Sequence, residues 1–176
     1  TNPDKALHDA LQRLLGELTS EIFAEGSNPL HPISAVISIY DEKRKRFRIQ
    51  ATTGPSADQM QKNPPRGNGI TAYTYQSRRP LIVPHLYNWP SGIPAPRQDL
   101  VESKSVQSMA VFPLLFGQDD QEEAIGALCI TSPNPIFFDS GRISASQVFA
   151  DKAAFIIQMA RVLSLIHISE PTRHRR

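Results

Sequence analysis

The stretch Gly67-Asn-Gly-Ile-Thr-Ala-Tyr-Thr-Tyr-Gln-Ser-Arg-Arg-Pro-Leu-Ile-Val-Pro84 passes from turn to helix to strand and then stops. Gly67-Asn-Gly69 supplies the backbone freedom of a turn, and Ile70–Ser77, free of glycine and proline, predicts a short helix. Pro80 disfavours helical backbone at Arg79, so the helix ends there, and Leu81–Val83 has strand composition before Pro84. A three-residue strand cannot stand alone. It must join a sheet built from the sequence on either side.

Both sides supply one. Upstream, the β-rich segment Ile33–Tyr40 and the segment Phe47–Thr53 flank the charged turn Asp41-Glu-Lys-Arg-Lys-Arg46, which predicts a hairpin. Downstream, Gln107–Phe116 and Glu123–Thr131 predict a second hairpin across Gly117-Gln-Asp-Asp120. Eight of the fifteen prolines fall between Gly54 and Pro96, so only short elements fit there. Long helices are predicted at both ends. Pro3–Ala24 places Leu7, Leu11, Leu14, Leu15, Leu18 and Ile22 on one face, with Gly26 as a stop. From Ser140 to at least Val162, Ile143, Val148, Phe149, Ala153, Ile156, Ile157 and Ala160 are expected on one broad face. The order implies an α+β fold with an antiparallel sheet, the terminal helices on one face and the Pro-rich insert covering the other.

The 176 residues, 40% hydrophobic and 20% charged, suit one folded domain rather than a disordered tail. A single cysteine, Cys129, excludes an internal disulfide and the Cys-rich zinc patterns, and no metal site is expected. The best apolar stretch, Ala153–Ile168, is broken by Gln158 and Arg161 and is too short to span a bilayer, so a cytoplasmic setting is the default expectation. The formal charge of +2 hints at nucleic acid, but its source is the tail. Leu163-Ser-Leu-Ile-His-Ile-Ser-Glu-Pro-Thr-Arg173 resembles the in-frame translation of a transposon-end sequencing adapter. Residues 163–176 carry Arg173, Arg175 and Arg176 against Glu170, and without them basic and acidic residues balance. The expected native domain is therefore residues 1–162 (helix 3–24, core 30–139, closing helix 140–162), with 163–176 a non-native tail and no nucleic-acid partner.

Alternation along the strands suggests which residues face a ligand. Ala35, Ile37 and Ile39, Met109 and Val111, and Leu128 and Ile130 form bulky sets expected against the helices. Ser38, Tyr40, Ser108, Cys129 and Thr131 form the smaller, more polar set expected in a pocket under the insert. Within the insert, Tyr73, His85 and Trp89 add aromatic and titratable groups able to stack on a planar ligand. The turn before Ile70 can present free N–H groups to an anion, and alone it reads as a simple helix cap. The basic run Lys43–Arg46, beside Asp41 and Glu42 and without interleaved aromatics, reads as a solvated turn.

Between Leu11 and Val162 the chain resembles a GAF domain, the sensor module of many signalling proteins. Gly67–Pro84 is similar to that family's Gly-x-Gly-Ile helix and Pro-Leu-x-Val strand, and Val106–Leu114 to its Ser-x-x-x-Val-Pro-Leu strand with Phe112 before the proline. Ala124-Ile-Gly-Ala-Leu128 resembles its Ile-Gly-Val-Leu strand, and Phe137-Phe-Asp139 precedes the closing helix. The resemblance implies a small-molecule-binding regulatory domain of a larger protein, not itself catalytic, dimerising through its terminal helices and passing ligand state along the closing helix to an effector. An alternative is a ligand-free dimerisation module. A further one is an enzyme like the free methionine sulfoxide reductases of this fold, which use several cysteines where this chain has one. The resemblance leaves the cofactor or ligand open. Cys129 lacks the Cys-His pair of bilin attachment, and Asn134, Phe138 and Asp139 only partly echo the cyclic-nucleotide signature Asn-Lys-Phe-Asp-Glu.

Overall fold

Five antiparallel strands in the order β2-β1-β5-β4-β3 form one sheet: β1 (Ser34–Asp41), β2 (Arg46–Thr53), β3 (Leu81–Val83), β4 (Ser108–Phe116) and β5 (Glu123–Ser132). The computed structural model describes residues 2–24, 32–55, 58, 62, 65–103 and 105–169. Helices whose bounds lie among the described residues are α1 (Pro3–Ala24), α2 (Ile70–Ser77), α3 (Gln98–Ser103) and α4 (Ser140–Ser169). The fold is α+β, and the predicted hairpins, α1, α2 and β3 all form. α3 and a short 3-10 turn at Asp119–Gln121 have no counterpart in the expectations.

α1 starts where Asn2 Oδ1 accepts the Asp4 N–H at 3.1 Å, and it buries Leu11, Leu14, Leu15, Leu18 and Ile22. α4 starts at a similar cap, Asp139 Oδ1 accepting the Arg142 N–H at 2.8 Å. Its buried face is Phe149, Ala150, Ala153, Ala154 and Ile157, whose small alanines let the helix lie close to the sheet. α1 and α4 pack on each other and on the same side of the sheet. The first hairpin turn is closed by Asp41 Oδ1, which accepts the Lys43 and Arg44 N–H groups at 3.1 Å each, while Lys45 takes φ 54°. These bonds, led by that from Arg44, hold the Asp41 carboxyl below its usual range.

Two hydrophobic clusters divide the sheet faces. Ala35, Ile37, Ile39, Ala110, Phe112, Leu114, Leu128 and Ile130 join the helices, while Met109, Val111, Ala127 and Val83 pack with Leu86, Leu100 and Val106 on the other side. The facing expected for β4 is therefore reversed: Met109 and Val111 lie under the insert, and Ser108 shares the helix side with Ala110 and Phe112. Every residue from Ser108 to Leu114 is buried, so apolar alternation carried no facing signal there. Val148 is also corrected, since it is 51% exposed rather than part of the core face of α4. At the β1–β5 crossing, a Cβ on Gly126 would sit 2.1 Å from the Ser38 carbonyl oxygen, so only glycine permits this strand approach.

Candidate functional site

Between the sheet and the insert lies a cavity of about 670 Å³. That is within the roughly 300–1,000 Å³ common for small-molecule sites. Its floor is the insert-facing side of the sheet: Val36 and Ser38 from β1, Ile49 from β2, Met109 from β4 and Cys129 from β5. Strand register explains this grouping, because Val36 pairs with Cys129 and Ser38 with Ile49 across neighbouring strands. The Pro94–Leu100 segment forms one wall and the start of α2 another. Trp89 also lines the cavity and is held to the Pro94–Leu100 wall by its Nε1–H, which donates to the Pro94 carbonyl at 2.9 Å.

The polar groups of the lining have different fates. Arg97 donates from Nε and Nη2 to the Asp99 carboxylate at 3.1 and 2.6 Å, a two-point pairing that fixes both on the wall. Burial pushes the Cys129 thiol up to about 12, with the Arg97 charge opposing the shift. At neutral pH it is therefore a protonated, weakly nucleophilic group. Ser38 and Thr71 are buried, line the cavity, and make no side-chain hydrogen bond among the described residues. α2 begins at Gly69, whose extended backbone supplies no side-chain cap.

Of the residues predicted from sequence, the cavity brings together Ser38, Trp89 and Cys129. The other five lie elsewhere. Ser108 sits on the opposite sheet face, its hydroxyl donating to the Asn134 carbonyl at 2.6 Å. Thr131 shares the insert-facing parity but is buried beyond the cavity lining. Tyr40 stacks with Phe47 and Tyr75 at centroid distances of 5.1 and 5.0 Å, an aromatic cluster in which burial pushes the Tyr75 hydroxyl upward. Tyr73 is on the exposed side of α2, and His85 is in the turn after β3, away from the lining. Sequence reasoning missed Arg66, Asn68, Thr71 and the Pro94–Leu100 wall. Only the turn before Ile70 carried a signal for any of them.

The sequence profile of the GAF domain family matches residues 7–157. The chain belongs to the GAF domain family. No curated protein sequence matches it. Its GAF fold is similar to three solved structures at 13–15% identity. The GAF domain of an Acinetobacter phosphoenolpyruvate-protein phosphotransferase has 13% identity and TM-score 0.66, with 90% of this chain and 85% of that one covered. A GAF domain/HD domain protein from Geobacter sulfurreducens has 13% identity and TM-score 0.64, covering 90% and 98%. A type II free methionine-R-sulfoxide reductase from Thermoplasma acidophilum has 15% identity and TM-score 0.62, covering 90% and 96%. These likenesses establish the fold. GAF domains are commonly regulatory sensor modules of signalling proteins and are generally non-catalytic. No helix among the described residues is long and apolar enough to cross a membrane, and no His, Cys, Asp or Glu group among them could hold a metal.

Proposed function

We propose that this GAF domain is a small-molecule sensor whose ligand binds between the sheet and the insert. The carrying observation is the cavity itself, with an apolar floor, a tryptophan on its wall and a few placed polar groups. A ligand there touches β1, β2, β4 and β5 from one side while α1 and α4 hold the other. A ligand that favours one packing of the insert would shift the balance between two packings of α4, provided its affinity differs between them. The output is then the closing helix, leading to an effector of a larger signalling protein, with residues 1–162 as the native unit in a cytoplasmic setting.

The same helix supports pairing with a second copy. Val148, Phe155 and Val162 are exposed at seven-residue intervals along α4, a spacing that keeps one ridge toward a partner helix. Sedimentation of the wild type and of Phe155→Glu tests this: a dimer that the substitution converts to monomer supports pairing, and a monomeric wild type refutes it.

The protonated Cys129 and the absence of a second cysteine in the chain weigh against reductase chemistry here, despite the fold shared with the Thermoplasma enzyme. Thermal unfolding against nucleotides, tetrapyrroles and amino acids tests the sensor function. A concentration-dependent rise in Tm for one class supports it. A flat response across all classes refutes it in favour of a ligand-free dimerisation module.

A further inference from the structure

We infer that the open half of the β2 edge, Arg46–Ile49, receives an extended partner segment in which acidic and apolar residues alternate, added as a further strand of the sheet. β2 lies at the end of the strand order and pairs with β1. An outer strand leaves the N–H and C=O of every second residue pointing away from the sheet. Over one half of β2, α1 occupies these groups. Gln12 accepts the Thr52 N–H at 3.3 Å and donates to the Thr52 carbonyl, the two-way bond that a neighbouring strand would make, and His8 Nδ1 donates to the Gln50 carbonyl at 2.7 Å. Over Arg46–Ile49 no side chain among the described residues does the same.

Strand register shows which groups the open half offers. Thr52 faces outward, and its partner on β1 is Val36. Alternation along β1 then turns Ser38 and Tyr40 away from β2, as Val36 is, and the close approach of the Ser38 carbonyl to Gly126 of β5 agrees. Their β2 partners, Ile49 and Phe47, therefore hold their N–H and C=O outward, with the bulge between Ile37 and Ser38 absorbing Gln50. Each offers a donor and an acceptor to a strand laid alongside.

The side chains set the sequence of the guest. Arg46 and Arg48 are exposed, lie on one face of β2, and form no ion pair among the described residues. Phe47 and Ile49 lie on the other face, Phe47 against Tyr40 and Tyr75 and Ile49 at the cavity floor. A strand added here sets acidic residues next to the two arginines and apolar ones next to Phe47 and Ile49. A second copy of the chain is a poor occupant, because two β2 edges paired with matching faces bring arginine against arginine. Basic side chains on an edge deter self-pairing, and the same charges favour an acidic guest.

Fluorescence anisotropy of the whole chain with labelled peptides tests this. The parent peptide Glu-Val-Asp-Val-Glu-Val should bind, and the scrambled Val-Val-Val-Glu-Asp-Glu should bind about ten-fold or more weakly. Of two parent copies, N-methylated at the valines or at the acidic residues, at least one should lose a similar factor, because methylation removes the ladder donors and keeps the charge. The double variant Arg46→Glu, Arg48→Glu should lose the parent peptide and gain Lys-Val-Lys-Val-Lys-Val, with circular dichroism verifying its fold. Should that variant not fold, the peptide comparisons on the unaltered chain decide alone. No binding of the parent peptide overturns the proposal, as does undiminished binding by both methylated copies or by the folded variant. A thymidine decanucleotide that binds as tightly as the parent peptide also overturns it, assigning the edge to general polyanion attraction.

Discussion

Replacing Cys129 with alanine should make the protein less sensitive to alkali. The thiol, with an ordinary value of 9.0, is pushed to about 12 in the folded chain because its half-buried place on the cavity floor desolvates the thiolate. The unfolded chain loses this proton first as pH rises. A raised folded value therefore contributes stability that is fully present below pH 9 and is withdrawn between there and about pH 12. The slope approaches about 1.4 kcal/mol per pH unit, so the loss is about 1.4 kcal/mol at pH 10 and roughly 2.7 kcal/mol at pH 11. Other titrations, those of tyrosines and lysines included, affect wild type and variant alike and cancel in the difference. The methyl-for-thiol packing change is a constant offset across pH. Urea unfolding of both proteins under reducing conditions at pH 8, 9, 10 and 10.5 measures the gap. The stability of wild type minus that of Cys129→Ala should fall by about 1.4 kcal/mol between pH 8 and 10. A gap that stays constant would show that the thiol is fully solvated, and the desolvation assigned to the cavity floor would be wrong.

Packing and hydrogen bonding set the remaining outcomes. Gly126→Ala places a methyl 2.1 Å from the Ser38 carbonyl oxygen and forces β1 and β5 apart, so urea unfolding should show a loss of about 3 kcal/mol; a loss well under 1 kcal/mol would contradict the strand approach. Phe112→Ala opens a void between the sheet and the terminal helices, where Phe112 is fully buried, and should cost about 3–5 kcal/mol by the same assay. Val111→Ala, on the other face, should leave α1 and α4 packing intact. Trp89→Phe removes the N–H bond to Pro94 and should cost about 1 kcal/mol. Because Trp89 is the chain's one tryptophan and lines the cavity, its emission should shift on ligand binding, and an unchanged spectrum at saturation would place the ligand elsewhere.

The parts of the fold legible in the sequence were those with a one-sided burial pattern or strong punctuation. α1 buries a single stripe of leucines, and α2 and β3 are bracketed by Gly69, Pro80 and Pro84, so their limits could be read directly. β4 could not be oriented, because both its faces are covered and Met109 and Phe112 look equally at home in a core. The same physics misplaced Ser108 and put Val148 on the wrong side of α4, whose apolar residues outnumber those its buried face can hold. α3 is six residues long with one buried apolar side chain, Leu100, too little pattern to announce a helix. The site was half legible. Ser38 and Cys129 followed from strand parity, whereas Arg66, Thr71 and Pro94–Leu100 reach the cavity through the path of the insert, which depends on contacts distant in sequence.

The most direct measurement is a crystal structure of the domain with a compound that raises its Tm. The ligand should lie between the β1–β2–β4–β5 floor and the Pro94–Leu100 wall, against Trp89. A ligand found instead in the groove between α1 and α4, beside Leu14 and Phe155, with the sheet-side cavity still empty, would contradict the account.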